Sequence, residues 1–212
     1  MNIIRNAYYL KGVLPFLCIV GNLCLWLIPL SLVAMGKIFI RLGSIQDGLS
    51  RVMEWIYRVA ICCDDVILYH LIGIRYDVKG LKKIYSGKFY LIISNHRSWS
   101  HILILQHLFG HRAPVLKFLV KRELLFLPIV GFICWAYDYP FLKRRSIKGS
   151  QTQKGTFRKD IWRIEKALGK FNRYPAAVVN LVEGSRFTKE KAIKQGSPYR
   201  HLLKPKAGGL MS

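Results

Sequence analysis

The amino-acid sequence predicts an α/β domain, a mixed, mostly parallel sheet covered by helices, carried behind an N-terminal hydrophobic membrane segment. Three observations predict it. No residue between Lys11 and Lys37 is charged. From Arg75 onward, short apolar runs bounded by polar turns alternate with stretches of helical period. Most of those runs are continuously apolar, the pattern of strands covered on both faces.

Composition agrees. A chain of 212 residues holds one domain with a proper core and a small appendage. Hydrophobic residues make up 52% and the formal net charge is +23. Strong basicity attracts polyanions, either nucleic acid or an anionic bilayer. Combined with this apolarity it favours the bilayer. The five cysteines (Cys18, Cys24, Cys62, Cys63 and Cys134) sit in apolar stretches without a CxxC pair. Reduced, buried thiols are expected, with no structural metal.

The elements follow in order. The apolar run from Val13 to Met35 matches the ~20 residues needed to cross a bilayer core. Pro15, Asn22 and Pro29 permit a broken or re-entrant helix as well as one clean span. Residues 1–45 are thus expected to anchor the chain, and residues 46–212 to form the domain. In the second apolar block, 49–74, the adjacent Asp64 and Asp65 argue against a span and read as a solvated face. Arg75–Lys79 has strand-like alternation, and Lys88–Ser94 is a second strand. Ser98–Phe109 reads as a helix and Leu116–Val120 as a strand. Phe157, Ile161, Ile164, Leu168 and Phe171 recur at helical spacing, and Ala176–Val182 reads as a buried strand.

Charge is uneven within the domain. Residues 143–206 hold 18 of the 34 Lys and Arg against 4 Asp and Glu. Such a surface suits anionic lipid or a phosphorylated substrate. A nucleic-acid-binding role is the remote alternative, without a stacking-platform motif to support it.

The stretch Asn95-His96-Arg97-Ser98-Trp99-Ser100-His101 joins an apolar strand to an apolar helix. On one regular helix, residues 96 and 101 would stand about 140° apart and could not cooperate. With His96 in the turn and Ser98 as the cap, residue 101 falls at N3 and points back toward His96. An acid there would orient the imidazole and stabilise its charged form, leaving His96 as a general base.

This stretch resembles the N-H-x4-D signature of the glycerolipid acyltransferases, the family of bacterial lysophosphatidate acyltransferase, except at its last position. Two further blocks resemble the family in order. One is Lys121-Arg122-Glu123-Leu124-Leu125, with Pro128, Gly131 and Phe141-Leu142-Lys143-Arg144 after it. The other is Glu183-Gly184-Ser185-Arg186-Phe187-Thr188, which is similar to the E-G-T-R signature. The resemblance covers roughly residues 75–209, and its wording looks closest to an inner-membrane proteobacterial branch.

The resemblance implies transfer of a fatty acyl group from an acyl thioester, acyl-CoA or acyl carrier protein, to the free hydroxyl of a lysophospholipid such as lysophosphatidate. No cofactor or metal is implied. His96 would be the base, with position 101 supporting it. Arg186 would bind the acceptor phosphate, Gly184 and Ser185 would let backbone N–H groups approach it, Lys121 and Arg144 would complete a cationic pocket, and Glu183 would orient Arg186. Membrane lipids would be the partners, at a bacterial inner membrane with the catalytic domain on the cytoplasmic side.

Two departures bear on activity. His101 occupies the aspartate position and supplies no negative charge. The chain also stops at Ser212, before the proline-containing fourth block with which family members continue. Both lead to an expectation of impaired activity in a domain truncated at its C-terminus. The alternative from another class is a non-catalytic remnant that binds anionic membranes or lysophospholipid.

Overall fold

The computed structural model describes residues 2–40, 42–81, 84–98, 100–142 and 175–205. Arg144, the helix expected over 157–171 and most of the basic stretch 143–206 lie outside the described residues. The chain divides into two compact units, Met1–Ile84 with Gln106–His111, and Tyr85–Leu105 with Arg112–Ser212.

The first unit is built on two long helices. α1 (Asn2–Phe39) runs unbroken through Pro15 and Pro29. Its stretch Gly12–Phe39 is long and apolar enough to cross a membrane. At 1.5 Å per residue its 28 residues span about 42 Å, beyond the ~30 Å of a hydrocarbon core. α2 (Gly43–Ile67) buries Met53, Ile56, Tyr57 and Ile61, one stripe at helical spacing. A π-helical turn, Leu68–Ile72, follows and ends at Gly73, whose φ of 75° suits glycine. Between the helices, the Gln46 side-chain amide donates to the carbonyls of Lys37 (2.9 Å) and Ile40 (2.7 Å). Those are carbonyls that the end of α1 leaves without helical partners.

Polar groups pin this unit. Asn22, buried midway along α1, donates to Asp64 Oδ1 at 2.8 Å and to the Ala60 carbonyl at 2.9 Å. Asp65 accepts from both His107 (2.8 Å) and His111 (2.6 Å) in and just after the last turn of α3 (Ser100–Gly110). Tyr76 stacks on His107 with ring centroids 4.1 Å apart. Arg58 donates to the carbonyls of Gly110 and His111. The expectation of a solvated Asp64–Asp65 face is corrected: Asp64 is buried and Asp65 serves two histidines. Their partners stand 42 or more positions away, so local pattern carried no sign of them.

The second unit holds the sheet. β1 (Tyr90–Ser94), β2 (Leu116–Phe118) and β5 (Ala177–Leu181) form a parallel sheet in the order β1-β5-β2. β3 (Val120–Lys121) and β4 (Phe141–Leu142) make a second, two-stranded parallel pair. The central strand β5 is buried from Ala177 to Asn180, which explains its unbroken apolar run. Leu116, Phe118, Ala113 and Leu203 fill the core beside it. A 3₁₀ turn, Arg122–Phe126, leads into α4 (Pro128–Ala136). Gly131 lets α4 press on that turn, because a Cβ there would run into the Leu125 carbonyl oxygen. α5 (Lys189–Lys194) begins at Thr188, whose hydroxyl accepts from the Lys191 N–H.

The predicted fold class is observed, with every strand pair among the described residues parallel. Boundaries differ. The expected strand 116–120 divides into β2 and β3, and 88–94 shortens to Tyr90–Ser94. Residues 75–79 form no strand. Their alternation places Tyr76 on a histidine rather than in a ladder. Of the cysteines expected to be buried, Cys134 is, while Cys24 and Cys62 are exposed. Burial pushes the Cys134 thiol up to about 12, where it is inert.

Candidate active site

Parallel pairing of β1 with β5 sets Ser94 opposite Leu181. Both strands end there, so the two segments leaving their C-terminal ends start side by side. One carries Asn95, His96 and Arg97; the other carries Glu183, Gly184, Ser185 and Arg186. The Phe187 N–H donates to the His96 carbonyl at 2.8 Å and ties the segments together. Gly184 turns the second with φ 63°, and its N–H donates to the Leu181 carbonyl at 2.8 Å. This is the crevice beyond the carboxyl ends of parallel strands where α/β sheets bind ligands.

His96 is half-buried, and its Nδ1 is fully buried without a hydrogen bond among the described residues. Burial holds this imidazole below its ordinary value of 6.5, and the positive charges of His101, Arg186 and Lys191 act in the same direction. Near neutral pH it is uncharged, the state a general base requires.

His101 lies in the first turn of α3, which starts at Ser100 rather than at the expected Ser98 cap. The Ser98 carbonyl accepts from the His101 N–H at 3.3 Å, and the two hydroxyls of Ser98 and Ser100 meet at 2.5 Å. The ring Nδ1 stands 3.2 Å from the Asn95 carbonyl and 3.5 Å from the Arg97 N–H. The shorter contact is served when Nδ1 carries the proton and donates. His101 thus folds back over the turn that holds His96, though from the second residue of the helix rather than from N3 of a helix capped by Ser98.

Glu183 is 1% exposed, and neither carboxylate oxygen completes a hydrogen bond among the described residues. Burial pushes its carboxyl up. The nearby backbone N–H groups of Leu203 and His96 oppose that rise, as do the charges of His101 and Arg97. Arg186 is exposed and Ser185 half-buried. Lys121 is exposed at the end of β3.

Two residues of the site escaped the sequence reading. The charge of Lys191 reaches His96, and its ammonium donates to the Arg186 carbonyl at 3.1 Å. Arg97 bears on Glu183 and stands 5.8 Å from the Phe187 ring centre. Lys191 sits three residues after the capping Thr188, so the start of α5 was the signal that could have found it. Arg97 lies inside the stretch Asn95–His101 itself.

Residues 75–210 match the family described as Acyltransferase. The chain is 31% identical over 135 residues to the 1-acyl-sn-glycerol-3-phosphate acyltransferase 3 of Arabidopsis thaliana, covering 58% of this chain and 33% of that protein. It is 34% identical over 77 residues to the 1-acyl-sn-glycerol-3-phosphate acyltransferase alpha of Ovis aries, covering 36% of this chain and 25% of that one. The match thus spans a third or less of the length of these relatives. The fold is similar to the crystal structure of the 1-acyl-sn-glycerophosphate acyltransferase PlsC of Thermotoga maritima, with a TM-score of 0.56 at 16% identity, over 100% of this chain and 70% of that one.

Proposed function

This chain belongs to the acyltransferase family, and from that premise we propose that it moves a fatty acyl group from an acyl thioester to the free hydroxyl of a lysophospholipid such as lysophosphatidate. The observation that carries the reading is the join between the segments that leave β1 and β5, where the Phe187 N–H donates to the His96 carbonyl and sets the His96 turn beside the Glu183–Arg186 turn. His96 Nε2 takes the hydroxyl proton as the oxygen attacks the thioester carbonyl. The tetrahedral intermediate collapses, the C–S bond breaks, and the imidazolium returns its proton to the departing thiolate. Arg186 and Lys191 hold the acceptor phosphate, a role for which a guanidinium is well matched. Gly184 gives the turn the shape that lets backbone approach the headgroup, with Ser185 beside it. Lys121 and Arg144 add positive charge. No cofactor or metal takes part beyond the acyl-CoA or acyl carrier protein that donates the acyl group.

Membrane attachment rests on α1, long and apolar enough to cross a bilayer, and on the net charge of +23. We assign the protein to a bacterial inner membrane, with the domain on the cytoplasmic side. The test is thioester consumption and acylated product in membranes containing the full chain, with a lysophosphatidate acceptor. Acyl transfer that is lost in His96→Ala supports the reading. Equal transfer by both proteins would overturn the role of His96, and lipid binding without transfer would favour a non-catalytic remnant.

A further inference from the structure

Among the described residues, the two large apolar side chains left most open to solvent are Phe126, 82% exposed, and Ile193, 80% exposed. Single exposed apolar residues are ordinary, but these two share a setting. Both belong to segments that leave the carboxyl end of the three-stranded sheet, β2 ending at Phe118 opposite Val179 and β5 at Leu181. The turn that carries His96 leaves from that end as well. Around Phe126, Leu125, Leu127 and Val130 are also exposed, and exposed Arg122 starts the same 3₁₀ turn. Ile193 follows Lys189 by one turn of α5 and precedes Lys194, with Tyr199 and Leu202 exposed after it. Residues 186–205 hold six Lys and Arg against one Glu. Neither tip is loose. The Gly131 N–H donates to the Leu127 carbonyl at 2.7 Å beside one. Beside the other, Ser197 donates to the carbonyls of Ala192 (2.9 Å) and Leu202 (2.8 Å), and Leu203 is buried.

We infer that this end of the sheet carries a second membrane contact, made by residues other than those of α1. Phe126 and Ile193 enter the apolar boundary of an anionic leaflet, while Arg122, Lys189, Lys194 and Arg200 meet its lipid phosphates. This contact rests on the membrane attachment proposed above. Apolar tips interleaved with lysine and arginine suit an anionic bilayer surface, where apolar burial and headgroup attraction act together. Flanking lysines do not prevent entry, because their stems lie along apolar surface while the ammonium stays in water. Glu123 and Glu190, the exposed acids of these two segments, are outnumbered. Because the His96 turn leaves the sheet at the same end, the contact brings the site toward the leaflet that holds a lysophospholipid.

The test uses the full chain with photoreactive benzoylphenylalanine in place of Phe126, Ile193 or, as control, Phe89, an exposed apolar residue at the amino end of the sheet. Each protein is floated with vesicles of phosphatidylcholine and phosphatidylglycerol, irradiated, and read for lipid adducts by mass spectrometry. Positions 126 and 193 should each give about 10-fold more adduct than position 89, and replacing the anionic lipid by phosphatidylcholine should remove most of that excess. Protein that floats but gives no more adduct at 126 or 193 than at 89 overturns the contact while leaving the attachment through α1 in place. Capture of a second copy or of another protein in place of lipid overturns it too. Protein that does not float overturns the membrane attachment and the contact together. Kinetics give a second readout. Phe126→Glu with Ile193→Glu should raise KM for long-chain lysophosphatidate in anionic vesicles by roughly 10-fold and leave kcat unchanged, with no effect on a short-chain, water-soluble lysophosphatidate. Equal losses on the two acceptors would contradict the contact.

Discussion

Two histidine pairs stand at the two ends of α3, and they differ in how their polar atoms are satisfied. His107 and His111 share the carboxylate of Asp65 at 2.8 and 2.6 Å, with Tyr76 stacked on one ring. Among the described residues the buried Nδ1 of His96 has no hydrogen-bond partner, while His101 Nδ1 stands 3.2 Å from the Asn95 carbonyl. The first arrangement is what a folded protein does with histidines that hold structure. On the acyl-transfer reading, the unpaired nitrogen marks His96 as the imidazole that serves as the base. Satisfaction of the polar groups, not the residue types, separates the two pairs.

The sharpest way to break the comparison is His96→Ala. Removing a general base should lower acyl transfer by about 10²–10⁴-fold. The same reasoning fixes a pH dependence. Because the His96 value is lowered from 6.5, the imidazole stays uncharged in the window just below that pH, so the acid limb of kcat/KM should have its midpoint below 6.5. A midpoint above 6.5 would show that the positive charges around His96 are outweighed.

Arg186→Ala comes next. Loss of a charge-assisted hydrogen bond of roughly 1.5–3 kcal/mol should weaken lysophosphatidate binding by about 10–150-fold. A lysolipid without a phosphate should show no such difference, and equal weakening of both would remove the phosphate from the account.

Asn22→Leu extends the contrast to the helical unit, where satisfied groups hold structure. It leaves the buried Asp64 without its side-chain partner and should destabilise the unit by about 1–3 kcal/mol, with acyl transfer per folded molecule unchanged. The double change Asn22→Leu with Asp64→Leu should recover much of that loss, since replacing both partners by apolar groups is often nearly neutral. Protease sensitivity of α1–α2 in detergent would read the difference.

Much of this was legible in the sequence. The continuous apolar run of β5 announced a strand covered on both faces, and the charge-free stretch up to Lys37 announced α1. The turn bearing His96 was legible because a strand and a helix of clear period flank it. What escaped depends on distant pairing. Asp64 and Asp65 read as solvated because Asn22, His107 and His111 lie 42 to 46 positions away. The alignment of the Glu183 and His96 segments follows from strand register, which no local pattern encodes. The alternation at Arg75–Lys79 misled, since five residues satisfy a period of two too easily.

The claim that unsatisfied histidines do chemistry while satisfied ones hold structure is tested most directly by measuring acyl transfer and thermal unfolding together in His96→Ala and Asp65→Asn. Asp65→Asn should lose roughly 1–2 kcal/mol of stability, because an amide cannot accept from both imidazoles, and should keep its acyl transfer per folded molecule. His96→Ala should unfold at or above the native temperature and have lost its activity. An active His96→Ala with lowered stability, beside an inactive Asp65→Asn that unfolds like the native protein, would contradict the account.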